Sequence, residues 1–307
     1  MTKHSIQHFM PLFAALLLTA TTCTQTQAQA LTGTLRKIAD SKTIALGYHE
    51  STPPFTYTSA DGQPMGYSYD FAIKIADAVK RTLKLPELHI KPVPFTTQNR
   101  FPMVQNGTID ISCGATTHTT GRQQLVAFSN TIFVAGTKLM TRKDSRIKDF
   151  SDLTGKNVVT FAASTSENIL RKMNAERNMR INLVTTFDRS GSGSPFSVLQ
   201  AGHADAFMMD DVLLYSAIHQ TWHPEDWTVV GTPVSFEAYG CFMRKDDAAF
   251  KQVVDQEIAR LMKSGDAKAI YQKWLMSPIP PKGINYAFPM SDAMIDLFKN
   301  PNDRPLD

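Results

Sequence analysis

The feature that most limits how this chain can fold is a strand-and-helix alternation that runs once, starts again, and is then followed by a further extended stretch. Residues 43–48 form a continuous apolar strand-like run, and 67–83 set Phe71, Ile75, Ala78 and Val79 at helical spacing. Residues 88–93 alternate as a strand, 99–105 read as a short helix stopped at Gly107, and 109–113 read as a strand. An extended stretch over 133–141 leads to a helical turn closed by Gly155. The alternation then restarts with a strand at 157–161 and a helix at 165–178, opened by Ser164 with Glu167 completing a capping box. Ser194-Pro195 starts another helix that stops at Gly202, and a strand at 204–209, a helix at 211–220 and a strand at 227–230 follow. The chain looks extended again over 235–244 and carries helices at 248–263 and 266–274. A chain that builds one α/β lobe, builds a second and comes back has two connecting strands and an interdomain cleft, where ligands settle. The tail after Pro278-Ile279-Pro280-Pro281 reads as a polar, proline-rich wrap.

The N-terminus sets the compartment. Lys3 and His4 precede the apolar run 9–18, and Ala28-Gln29-Ala30 supplies small residues: a secretory signal, 1–30, cut after Ala30, and hence a periplasmic protein. The run is shorter than the ~20 apolar residues a spanning helix needs. Lipidation at Cys23 is the competing reading, although Ala20-Thr21-Thr22 matches such a site poorly. With 307 residues, 42% of them hydrophobic and 20% charged, the chain can fill about two lobes. The net charge of +4 is modest and the basic residues are scattered, so charge implies no nucleic acid. Once Cys23 leaves with the signal, Cys113 and Cys241 form an even pair: one disulfide, or two buried thiols.

Several segments carry a family likeness: Ser51-Thr52-Pro53-Pro54-Phe55, Gly66-Tyr67-Ser68-Tyr69-Asp70, Asp110 with Gly114 and Thr117, and 202–210 ending in Phe207-Met208-Met209-Asp210. Together they resemble the polar amino-acid-binding proteins of ABC importers, solute-binding protein family 3. Thr97-Gln98-Asn99-Arg100, Cys113-Gly114, the run 131–137, Met209-Asp210-Asp211 and Tyr239-Gly240-Cys241 are similar to its glutamate/aspartate-binding branch. The likeness covers essentially all of the chain after residue 30. It implies two Rossmann-like α/β lobes joined by two hinge strands, the type II periplasmic binding fold. The first lobe would take 31–136 and the second 137–236, with 237–307 returning to the first as C-terminal helices and tail. The two cysteines would then lie on neighbouring strands, which favours a bridge.

The resemblance also assigns roles. Arg122 takes the place of the arginine that forks onto a ligand α-carboxylate, which suits a planar bidentate group. Thr117 would add a hydroxyl and nearby N–H groups. Asp210, ending an apolar strand, matches the carboxylate that receives the α-ammonium, with Asp211 as an alternative that also suits helix capping. Ser164 and Thr165 open a helix whose N–H groups face an anion well. The side-chain end departs from the branch: His49 stands where the branch has an arginine, Ala115 replaces a serine, and Arg189 lies near a family histidine, while Thr97 and Arg100 are retained. Either Arg189 compensates and keeps an acidic ligand, or the pocket has moved toward glutamine or asparagine. His49 brings pH dependence near neutrality, or is a core histidine.

The expected function is capture of glutamate or aspartate as the free amino acid and its delivery to an ABC permease in the inner membrane, by a monomer without cofactor or metal. The enzyme reading is a small-carboxylate dehydratase on the same fold. It finds no nucleophile elbow, metal-ligand spacing or phosphate-cradling glycine loop.

Overall fold

The computed structural model describes residues 1–2 and 31–306, so the signal, its cut after Ala30 and the Cys23 reading lie outside the described residues. The first series runs α1 (Gly33–Ser41), β1 (Thr43–Tyr48), β2 (Ser51–Thr52), β3 (Thr56–Thr58), β4 (Pro64–Met65), α2 (Tyr67–Thr82), β5 (His89–Pro94), α3 (Arg100–Gln105), β6 (Ile111–Ser112) and β7 (Ala127–Arg142). The second runs β8 (Asn157–Phe161), α4 (Thr165–Glu176), β9 (Asn182–Thr186), α5 (Pro195–Gln200), β10 (Ala206–Asp210), α6 (Asp211–Gln220) and β11 (Trp227–Val230). The return is β12 (Phe236–Met243), α7 (Ala248–Ser264), α8 (Asp266–Leu275) and α9 (Asp292–Lys299).

The main sheet is ordered β5-β1-β6-β12-β7-β10-β8-β9, with β11 also paired to β7. Strand β7 joins its two halves. Its first part pairs antiparallel with β12, from Gly136↔Phe236 to Ala127↔Met243, and its second with β10, from Thr137↔Asp210 to Met140↔Phe207. The two connections cross side by side, since the Thr137 N–H donates to the Ser235 carbonyl at 3.0 Å and the Val234 N–H to the Thr137 carbonyl at 3.2 Å.

Side-chain alternation along the strands builds separate cores on either side of the second half. Met208 faces Leu139, Val158 and Leu170, whereas Phe207 and Met209 face Val159, Leu214 and Trp227. The first half is anchored by Phe55, Tyr67, Phe71, Phe133, Tyr239 and Tyr271, all at most 2% exposed. Helix α2 enters this core beside the Pro53–Pro54 turn: the Tyr67 and Ser68 N–H groups donate to the Pro54 and Phe55 carbonyls at 2.7 and 3.0 Å. Gly66 allows that approach, having φ +130 and no room for a Cβ, which would meet the Phe55 carbonyl oxygen at 2.2 Å.

Several elements depart from the sequence reading. The strand expected over 109–113 shortens to Ile111–Ser112. Helix α1 and edge strand β9 were not expected. The tail is more than a polar wrap: Ser291 caps α9, accepting the Met294 N–H at 3.3 Å, and Met294 and Leu297 are buried against the first-half core. Cys113, just past β6, and Cys241, on β12, are joined by a disulfide across a Cα–Cα distance of 4.1 Å.

Candidate ligand-binding site

The residues singled out in sequence converge where strand ends of both halves meet, the usual place for a ligand in an open α/β sheet. His49 follows β1, Asp210 ends β10, Thr117 lies in the loop after β6, and Arg100 opens α3. Thr117 is held to β12 by a bridge to Tyr239. Its carbonyl accepts from Arg122 Nη1 at 2.8 Å, and Thr119 Oγ1 accepts the Arg122 N–H at 3.2 Å, so the loop aims the guanidinium inward.

Three guanidinium groups gather here. Arg100 is 4% exposed, stands over the Phe101 ring at 4.8 Å, and has a buried Nε without a partner. Arg189 lies over the Phe161 ring at 4.7 Å, donates from Nη2 to Thr97 Oγ1 at 3.2 Å, and also has an unpartnered Nε. That hydrogen bond ties the second series to the first. Burial and the charges of Arg122 and Arg189 pull Arg100 well below the ordinary arginine value, and burial lowers Arg189 to about 10. Among the described residues no carboxylate forms an ion pair with any of the three.

Two buried carboxylates answer them without pairing. Asp210 is 1% exposed; its Oδ2 accepts the Tyr239 hydroxyl and its Oδ1 has no partner. Burial and the neighbouring Glu237 hold it well above the carboxylate range, while Tyr239 and Arg122 act the other way. Glu237 Oε1 accepts from Thr137 Oγ1 at 3.1 Å and Ser235 Oγ at 2.6 Å, and its Oε2 is buried without a partner. Arg122 feels both: burial lowers its pKa, and Glu237 and Asp210 oppose that. Asp211 is otherwise engaged, its Oδ1 accepting the Gly136 and Val212 N–H groups at 3.3 and 2.7 Å.

A cavity of about 1180 Å³ opens onto this cluster, lined among others by Thr117, Arg122, Thr165, Ser235 and Glu237. Arg122 is therefore both a wall of the cavity and a neighbour of the buried charges, whereas Arg100, His49 and Asp210 are not on the cavity wall. Ser164 is committed to capping α4: its hydroxyl donates to the Phe161 carbonyl at 2.6 Å and accepts the Glu167 N–H at 3.1 Å. Thr165, next to it, faces the cavity. Sequence reasoning missed Glu237 and Tyr239 as site residues. Their stretch was read as extended, with Tyr239 noted only within the Tyr239-Gly240-Cys241 likeness, and the available signal was a glutamate and a tyrosine inside an otherwise apolar strand.

The sequence profile of "Bacterial extracellular solute-binding proteins, family 3" matches residues 44–277. The chain is 49% identical over 278 residues to an L-glutamate/L-aspartate-binding protein of Pseudomonas aeruginosa, covering 90% of this chain and 91% of the relative. It is 46% identical over 279 residues to a glutamate/aspartate import solute-binding protein of Escherichia coli K12, covering 91% of each. Among solved structures, a mutant of ArgBP from T. maritima superposes with a TM-score of 0.68 at 27% identity, covering 78% of this chain and 98% of the other.

Proposed function

The chain belongs to family 3 of the bacterial extracellular solute-binding proteins, and from that premise we propose that it captures glutamate or aspartate in the periplasm and passes it to an ABC permease in the inner membrane. It is a solute-binding protein and not an enzyme, as its relatives are. The observation that carries the acidic preference is the gathering of three largely buried guanidinium groups without an ion-pairing carboxylate among the described residues, beside two buried carboxylates, Asp210 and Glu237, that each keep one oxygen without a partner. A buried charge left unpaired is costly, so such a set is complementary to a molecule bringing two carboxylates and one ammonium.

In this reading Arg122 forks onto the α-carboxylate, with Thr117 and the α4 N-terminus at Thr165 completing its shell. Asp210 Oδ1 takes the α-ammonium, in the field of Glu237. Arg100 and Arg189, with Thr97 between the halves, hold the distal carboxylate, and His49 lies beside them. Residues 31–136 and 237–307 act as one lobe and 137–236 as the other. A ligand touching both favours the closed form by its differential contacts, and that form is what the permease meets. The protein works as a monomer, after a signal ending at Ala30 is removed. Calorimetry of the chain 31–307 with glutamate, aspartate, glutamine and asparagine tests this: tight binding of an acidic member is expected, and strong binding of neutral or basic amino acids alone overturns it.

A further inference from the structure

His49 follows β1 directly, with its ring packed on Phe95, centroids 4.5 Å apart, and is 6% exposed. A hydrogen bond to the Phe95 backbone engages the imidazole, and Nε2 is left buried without a partner. The charged groups facing it are Arg189, from the segment before α5, and Arg100, at the start of α3; the adjacent Glu50 is exposed, and no carboxylate acts on the ring. Burial, Arg189 and Arg100 together hold the imidazole well below its ordinary value, so without cargo it is neutral. Its Nε2 then presents a lone pair to guanidinium groups that only donate. A carboxylate arriving between Arg100 and Arg189 reverses this balance. It offsets the two cations and offers an oxygen to an Nε2–H, whereas a side-chain amide brings no charge.

We propose that His49 couples cargo binding to a proton: the site takes up one proton on Nε2 with each distal carboxylate it binds, and this coupling separates acidic amino acids from their amides as pH falls. The inference rests on the acidic-cargo reading above. Its sign follows from linkage. The bound state holds the proton more tightly than the free state, so affinity rises as pH falls through the bound-state pKa and levels off below the free-state one, with a slope of up to about tenfold per pH unit for one proton.

The test is calorimetry of glutamate and glutamine on the chain 31–307 between about pH 5.5 and 8, where neither ligand titrates, in buffers of different ionisation enthalpy. Glutamate is expected to take up about one proton more than glutamine and to gain affinity over it toward acid, because any proton that Asp210 gives up to the ammonium is common to both ligands. His49→Gln should still bind glutamate but lose slope and uptake. His49→Arg should bind without slope, a fixed charge replacing the titrating one. Equal proton uptake and equal pH slopes for glutamate and glutamine, or a wild-type difference between them in His49→Gln, overturns the role of His49 while leaving the cargo assignment intact. Failure of glutamate and aspartate to bind at any pH overturns both. The proton count on the unsubstituted protein is independent of any folding defect in a variant.

Discussion

Replacing Asp210 by asparagine separates what its carboxylate costs from what it does. The group is 1% exposed, its Oδ2 accepts the Tyr239 hydroxyl, and its Oδ1 accepts nothing. Burial and Glu237 raise its folded-state pKa above the unfolded value, Asp211 adds to that, and Tyr239 and Arg122 oppose it. A carboxyl raised in this way contributes stability that is fully present below its unfolded pKa, near pH 4, and is lost as pH rises through the folded-state value. At neutral pH the protein without cargo therefore bears the cost of this group. Asparagine keeps the shape and the acceptor for Tyr239, carries no charge, and turns an NH2 donor toward the field of Glu237. Asp210→Asn should stabilise the protein without cargo by about 1–2 kcal/mol at pH 7, raising Tm by roughly 2–4 °C per kcal/mol, and should flatten the pH dependence of Tm between about pH 4 and 7. In the proposed reading the same change removes the partner of the cargo ammonium. Losing one side of a buried charge pair costs roughly 2–5 kcal/mol, so glutamate affinity should fall by about 30-fold to several thousand-fold. Thermal unfolding at several pH values with and without glutamate, joined to calorimetry, reads both effects. A variant less stable than the parent without cargo, or one binding glutamate with near-parent affinity, refutes the reasoning.

Arg122→Ala should abolish calorimetric binding of every amino acid while Tm without cargo stays within a few degrees, because the guanidinium forms no ion pair; retained affinity would remove it from the α-carboxylate role. Arg189→Ala should leave the α-end intact and shift the glutamate-to-glutamine affinity ratio by tenfold or more, on the scale of one charge-assisted hydrogen bond of about 1.5–3 kcal/mol. An unchanged ratio counts against it. The Cys113→Ser/Cys241→Ser double variant opens a loop spanning 128 residues and should lose about 2–5 kcal/mol in denaturant unfolding; no loss would mean that the bridge does not constrain the unfolded chain.

The legible parts of the fold were those whose signals are local. Asp211–Gln220 and Trp227–Val230 sit where periodicity placed them, because each has its own burial pattern and its own boundary residues. Strand β9 carries no such signal: it is a half-exposed edge without an apolar run, and only pairing with β8 makes it a strand. Helix α9 buries just two residues, Met294 and Leu297, behind a proline-rich lead, too few to impose a period. The site was less legible still. Arg100, Arg122 and Arg189 come from segments far apart in sequence, so no spacing brings them together, and family resemblance alone suggested their roles. Asp210 and Asp211 are adjacent and chemically identical. What distinguishes them is that β10 buries one beside Tyr239, while the other turns to the Gly136 and Val212 N–H groups.

With the cargo placed as proposed, the division of charge between the two halves makes closure depend on the whole of it. His49, Thr97, Arg100 and Arg122 come from the first series, and Arg189 and Asp210 from the second. Bringing the halves together without cargo places Arg189 near Arg100 and leaves Asp210 Oδ1 and both Nε groups without partners. Each buried polar group left so costs about 1–3 kcal/mol. A neutral amino acid relieves the end at Arg122 and Asp210 but leaves Arg100 opposed to Arg189. An acidic one relieves both ends, so its differential affinity for the closed form is larger by the distal carboxylate's contribution. Selectivity then needs no pocket that excludes neutral side chains by shape: their shorter list of satisfied groups yields a smaller share of closed protein at the same concentration.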